Sequence, residues 1–223
     1  ADAPAEQKPQ KTSLNEVKAL IFGHSQTVPL SKRLREQIKQ AGGSVVRKQF
    51  GFNDVGLARE IKNIKGKFTH AYLFLNGNSY PPKEQLHESA KRQIVKYVQS
   101  SLGVSKDNIL VVLPPINNAS YEEKDLRARF KKDKDFSMYS SEKHKRQALR
   151  SRRRGAELNP SARKYFNSLG VKVADPIVST DPADFRDGLH IKSTSTVSRD
   201  FQAGQFSNLQ NDSVAVLPTI KPT

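Results

Sequence analysis

Short apolar runs alternate along this chain with stretches in which apolar residues return every third or fourth position. Residues 17–22 form a short apolar run, interrupted only by Lys18, that stops at Gly23, the pattern of a buried strand. Leu30, Leu34, Ile38 and Ala41 then recur at helical spacing, with Ser31 near the start and Gly42 and Gly43 at the end. Residues 44–49 predict a second strand, and Asn53 or Asp54 can cap a helix that carries Leu57, Ile61 and Ile64 and ends at Gly66. The alternation continues with a strand at 71–75 and a helix at 84–102, whose stripe is Leu86, Ala90, Ile94, Val98 and Leu102. A strand at 109–113 is stopped by Pro114 and Pro115, and a helix at 159–169 leads into a strand at 171–174. Apolar strands alternating with helices of one polar face predict an α/β fold. About five parallel strands would be covered on both sides, as a three-layer α/β/α sandwich.

Two stretches break the pattern. Residues 117–155 are rich in Lys and Arg with few aliphatics, and read as an insertion made of a loop plus one or two exposed helices. Residues 193–223 are rich in Ser, Thr, Asn and Gln and read as a polar tail. The expected organisation is a flexible leader at 1–14, one domain at 15–192 and the tail at 193–223. The leader, with Ala, Pro, Gln and Lys and no Met, reads equally as an end trimmed by a signal peptidase or maturation protease and as an arbitrary boundary. No run approaches the roughly 18 apolar residues of a transmembrane helix. With no cysteine, disulfides, thiolate zinc sites and a Cys nucleophile are excluded. Secretion or a periplasmic location, membership of a larger particle such as a virion, and a cytoplasmic location all stay open, as does the oligomeric state.

Charge adds a second theme. The net charge is +16, and residues 121–164 alone hold 15 Lys and Arg against 7 Asp and Glu, a surplus of +8. So concentrated a positive field favours anionic partners: nucleic acid, phosphorylated glycans or anionic lipid surfaces. The candidates for holding such a polyanion are Lys131, Lys132, Lys143, Lys145, Arg146, Arg150, Arg152, Arg153 and Arg154. The plainer alternative is a solvated helical face that aids solubility. Aromatics in this stretch are few (Phe130, Phe136, Tyr139), which favours backbone attraction over base stacking.

In a parallel sheet ligands gather at the carboxyl ends of the strands. Four loops place polar residues there: Gly23-His24-Ser25-Gln26, Phe50-Gly51-Phe52-Asn53, Asn76-Gly77-Asn78-Ser79 and Asp187-Gly188-Leu189-His190. A hydroxyl, a glycine amide, an amide side chain and a His–Asp pair are the parts that acyl transfer needs. Taken singly, Ser25 reads as a cap or turn serine, Gly77 as a simple turn glycine, and Asn78 as a residue that bonds its own loop. His70 and His87 read as structural or solvated, and His144, in the basic run, as exposed. The histidines are too dispersed for a metal site, and no glycine-rich nucleotide loop opens a helix, so no metal and no cofactor is expected.

The four segments, in this order, resemble the conserved blocks of the SGNH (GDSL-like) serine hydrolases, over about residues 17–191. Gly23-His24-Ser25 is similar to the family's Gly-Asp-Ser, Gly51 to its second block, and Asn76-Gly77-Asn78-Ser79 to its third. Asp187-Gly188-Leu189-His190 resembles its Asp-x-x-His. The resemblance implies the family's flavodoxin-like three-layer fold, with Ser25 as nucleophile, His190 as general base and Asp187 orienting it. It implies an oxyanion hole from the backbone N–H groups of Ser25 and Gly51 and the Asn78 amide. The chain departs from the family at His24, where an Asp usually orders the nucleophile loop. It departs again after His190, where Ile191-Lys192-Ser193 stands in place of a Pro and a closing helix. A neutral His24 could take over the Asp's ordering role; a charged one could not.

The expected activity is therefore that of a serine esterase or deacylase acting on acyl groups of a polysaccharide or lipid. The alternative from another class is a catalytically weak or inactive structural or binding protein on an esterase-like scaffold, such as a particle or virion component. That protein would use the basic insertion to hold nucleic acid or another polyanion.

Overall fold

The computed structural model describes residues 12–13, 16–78, 87–119, 138–174, 176–192 and 209–210. Within them the apolar runs form one parallel sheet of β1 (Lys18–His24), β2 (Ser44–Phe50), β3 (His70–Phe74), β4 (Ile109–Val112) and β5 (Lys172–Ala174). Their spatial order is β2-β1-β3-β4-β5. Past its first residue β1 is buried throughout, and so is all of β3, because helices cover both faces of the sheet's centre. At the edge, β2 is only partly buried.

The helices are α1 (Val28–Gln40), α2 (Asp54–Glu60), α3 (Glu88–Ser100), α4 (Met138–Arg153) and α5 (Asn159–Ser168). One apolar layer packs Leu20, Phe22 and Leu73 against Leu57 of α2, Ile94 and Val98 of α3 and Phe166 of α5. The other packs Ile21, Tyr72 and Phe74 against Leu30, Leu34 and Ile38 of α1, with Phe185 and Ile191 from near the end of the domain. Each aliphatic side chain buried this fully stabilises the fold by about 1.5–3 kcal/mol. No helix among the described residues is long and apolar enough to cross a membrane.

Local details refine the expectations from sequence. The helix expected around Leu30 starts earlier, at Val28, with Pro29 in its first turn, where a missing N–H costs nothing. Asn53, not Asp54, caps α2, its side chain accepting from the Gly56 N–H at 3.1 Å. Residues 84–86 of the third helix lie outside the described residues, as do Ser79, Lys131 and Lys132. The insertion is the main correction. Helix α4 buries His144, Ala148 and Ser151 along one face, so it is a packed element and not an exposed appendage. A single π-helical turn (Arg154–Leu158) carries the chain from α4 into α5. Of the leader and tail, Thr12–Ser13 and Leu209–Gln210 pair as a two-residue parallel ladder.

Candidate active site

The strand order reverses between β1 and β3: β2 lies outside β1, while β4 and β5 lie beyond β3. In a doubly wound sheet the crevice at this switch point, beyond the carboxyl ends of the strands, is where ligands bind. β1 runs directly into the 3-10 turn Ser25–Thr27. Parallel register sets His24 beside Phe50, so Ser25 and Gly51 follow side by side, and it sets Gly23 beside Phe74, two residues before Asn76. Three of the four polar loops thus meet for topological reasons.

The fourth arrives from the far end of the chain. Phe185 and Ile191 bridge in antiparallel fashion and are buried in the α1-side core. Between them, Asp187 to His190 form a tight loop, closed where the Arg186 N–H donates to the His190 carbonyl at 2.8 Å. The Ile191 N–H donates to the Gln26 carbonyl at 3.1 Å, which ties this loop to the turn that carries Ser25. Gly188 lies in the left-handed region (φ +91°), and a Cβ there would stand 2.5 Å from the His144 carbonyl oxygen of α4. Only glycine lets helix and loop pack so closely. Asn117 adds a further tie, its Nδ2 donating to the Gly188 carbonyl at 3.1 Å.

The result brings Ser25, His190 and Asp187 together in sequence-distant contact. Ser25 Oγ lies 3.5 Å from His190 Nε2, long for a hydrogen bond, and His190 Nδ1 lies 2.7 Å from Asp187 Oδ2. The second Asp187 oxygen accepts from the backbone N–H groups of Leu189 (3.0 Å) and His190 (2.9 Å). Burial works against the charge on Asp187, but the hydrogen bonds from His190 and Leu189 outweigh it and hold the carboxyl well below its ordinary range. An ionised carboxylate can only accept, so the proton of a neutral imidazole belongs on Nδ1, leaving Nε2 as an acceptor facing Ser25.

Asn78 is fixed at both ends. Its Oδ1 accepts from Gln26 Nε2 at 2.9 Å, and its Nδ2 donates to the Phe52 carbonyl at 2.8 Å. Gln26, buried, also donates to the Gly77 carbonyl at 2.7 Å. Gly51 is exposed, and among the described residues, its chain neighbours aside, no atom lies within 4 Å of where its Cβ would be. Gly77 does lie in a turn, as expected from sequence, but the turn is not what demands a glycine there. A Cβ on it would come within 2.2 Å of His24 ring carbons, so the requirement is close packing on the imidazole.

His24 is fully buried, and its Nδ1 accepts from the Gln26 N–H at 3.3 Å. Burial and then the positive charge of Arg154 push its pKa well down, so the ring is neutral. His24 thus helps to order the turn after β1 in its uncharged form. His144, expected to be exposed, is buried instead; its contact with the Arg186 backbone sets it behind the Asp187 loop.

Several supporting residues carry no obvious sequence signal. Asp54 accepts from the Asn76 N–H at 3.0 Å and pairs with Lys91 Nζ at 2.5 Å, both side chains being wholly buried. Asn76, at φ 65°, donates from Nδ2 to Asn159 Oδ1 at 2.9 Å, anchoring the start of the loop that holds Asn78. One clue existed: Lys91 stands three residues before Ile94, on the buried side of α3, where an unpaired Lys would be costly.

The polyanion candidates divide. Arg154 is wholly buried and donates to the Gly77 and Pro115 carbonyls, so it serves the interior and not a solution partner. Arg152 donates to the carbonyls of Asn117 (3.0 Å) and Ala119 (2.5 Å). Lys143, Arg146, Arg150 and Arg153 are exposed on α4, with Lys145 half-buried; Lys145 and Arg153 lie 3.6 and 3.3 Å from Glu142 and Glu157. No family model and no curated protein sequence matches this chain.

Proposed function

We propose that the protein is a serine esterase or deacylase of the SGNH type, acting on acyl groups borne by a polysaccharide or lipid. The observation that carries this reading is the Ser25–His190–Asp187 relay, with spacings of 3.5 and 2.7 Å between groups 165 and 3 positions apart. Ser25 Oγ attacks the ester carbonyl while His190 Nε2 takes its proton, and Asp187 stabilises the imidazolium. The carbonyl π electrons move onto oxygen, where the N–H groups of Ser25 and Gly51 and the Asn78 amide receive the charge. The intermediate collapses, the C–O bond to the alcohol breaks, and His190 returns the proton to the leaving oxygen. Water, deprotonated by the same imidazole, then releases the acid and restores Ser25. The open space before Gly51 suits a substrate carbonyl that must come close to backbone.

The test is hydrolysis of p-nitrophenyl acetate by the wild type and by Ser25→Ala, with a fluorophosphonate probe mapped by mass spectrometry. Wild-type turnover lost in the variant, with the adduct on Ser25, is expected. Equal rates in the two proteins remove Ser25 as nucleophile.

A second reading, a binding protein that holds nucleic acid or another polyanion, is favoured by the exposed cations Lys143, Arg146, Arg150 and Arg153 on α4. Contacts of this kind weaken steeply as salt rises, because the counterions released on binding then gain less entropy. Affinity that stays flat from low to moderate salt rejects it.

A further inference from the structure

Among the described residues, Phe52 is one of three large apolar side chains left in the open, 44% exposed, and it directly follows Gly51. Its ring is nonetheless held firmly. It stacks on Phe50 with centroids 5.5 Å apart and planes 9° from parallel, and Phe50 in turn packs edge-on against the buried Phe22 at 6.1 Å. Its backbone is held too, because the Phe52 carbonyl accepts from Asn78 Nδ2. A hydrophobic contact with the first turn of α2, where Phe52 lies against Gly56, accounts for the inner edge of the ring. It does not account for the large exposed share of Phe52 directly after Gly51.

A flat, pre-ordered aromatic face offers apolar area and a negative quadrupole, which attracts the weakly positive C–H groups on one side of a pyranose ring. Because Phe50 and Asn78 already fix it, little freedom is lost when a ligand settles there. A flexible acyl chain would gain more from a closed apolar cleft than from a single open face. We infer that Phe52 is a specificity-determining residue that stacks on a sugar ring of an O-acylated glycan while its ester carbonyl faces Gly51 and Asn78. This rests on the esterase reading and narrows its substrate class from polysaccharide or lipid to glycan.

The experiment compares the full chain with Phe52→Ala, Phe52→Leu and Phe52→Trp on three substrates: an O-acetylated xylo-oligosaccharide, p-nitrophenyl acetate and p-nitrophenyl octanoate. The expected result for Phe52→Ala is a KM on the oligosaccharide raised about 5-fold, the weight of one aromatic contact, with kcat/KM on p-nitrophenyl acetate within about twofold. Phe52→Leu, which keeps the contact with α2, behaves like Phe52→Ala, and Phe52→Trp behaves like the wild type. Phe52→Leu carries the test if Phe52→Ala fails to fold. An unchanged oligosaccharide KM overturns the inference. So does a loss shared equally by all three esters, a loss confined to the octanoate, or no turnover of the oligosaccharide by a protein that hydrolyses p-nitrophenyl acetate through Ser25. Ser25-independent hydrolysis of p-nitrophenyl acetate, or none at all, rejects the esterase reading itself.

Discussion

Gly77 rests on the imidazole of His24, so close that a methyl group at position 77 would overlap the ring carbons at 2.2 Å. Two of the polar loops at the switch point are therefore interlocked by shape. Gly77→Ala must displace either the buried ring or the loop that carries Asn78. A loss of about 1–3 kcal/mol of stability is expected, as for other overpacked cores. His24→Ala removes the obstacle, so in urea denaturation the double variant should lose clearly less than the two single losses added together. Additive losses would mean the contact is not the cause.

Asp187→Asn keeps the size of the side chain but removes its charge and frees His190 to adopt the wrong tautomer. If the relay works as proposed, kcat on p-nitrophenyl acetate falls by about 10³–10⁴-fold with the fold intact. Asn78→Ala, which deletes one of the proposed oxyanion donors, should on the same reading cost about 10²–10³-fold in kcat. Steady-state kinetics, with circular dichroism as the folding control, decides both.

The Asp54–Lys91 pair supports the loop holding Asn78 from within, since Asp54 also receives the Asn76 N–H. Lys91→Met leaves a buried carboxylate without its cation, and a loss of about 3–5 kcal/mol is expected. Asp54→Asn combined with Lys91→Met should be less damaging than Lys91→Met alone, because no orphaned charge remains. Denaturation midpoints of the two variants give the answer.

Acid should weaken the fold well before carboxylates are protonated. Burial lowers the pKa of His70 to about 4, and His24 and His144 are lowered too, so the unfolded chain binds protons that the native one refuses. Stability is then fully present above the unfolded value of about 6.5 and is lost as pH falls below it. For His70 alone the loss between pH 7 and pH 5 is about 2 kcal/mol. Asp187, whose pKa is depressed, adds a separate loss only below about pH 4. Urea denaturation at pH 7 and pH 5 should show the difference, and His70→Asn should reduce it. Equal stability of the wild type at both values would contradict the burial of these rings.

Much of this protein could be read along the chain, and the division has a physical basis. Hydrophobic periodicity is a local property, so the strand and helix alternation, a cap at Asn53 or Asp54 and the stop at Gly42 and Gly43 were evident from neighbouring residues. The Asp187–His190 pair was equally legible, because three residues of spacing and two backbone N–H groups suffice to close it. What the tertiary structure alone decided are the contacts whose partners lie far apart in sequence. The order of strands, set by which crossovers pack, carries Ser25 to a histidine 165 residues away. The same packing puts His24 under Gly77, buries Arg154 out of a run that looks uniformly exposed, and turns α4 into a support for the Asp187 loop. Charge and polarity in a sequence reveal what a side chain prefers. Only the folded surroundings determine whether burial, a partner or solvent meets that preference, because those surroundings come from distant parts of the chain.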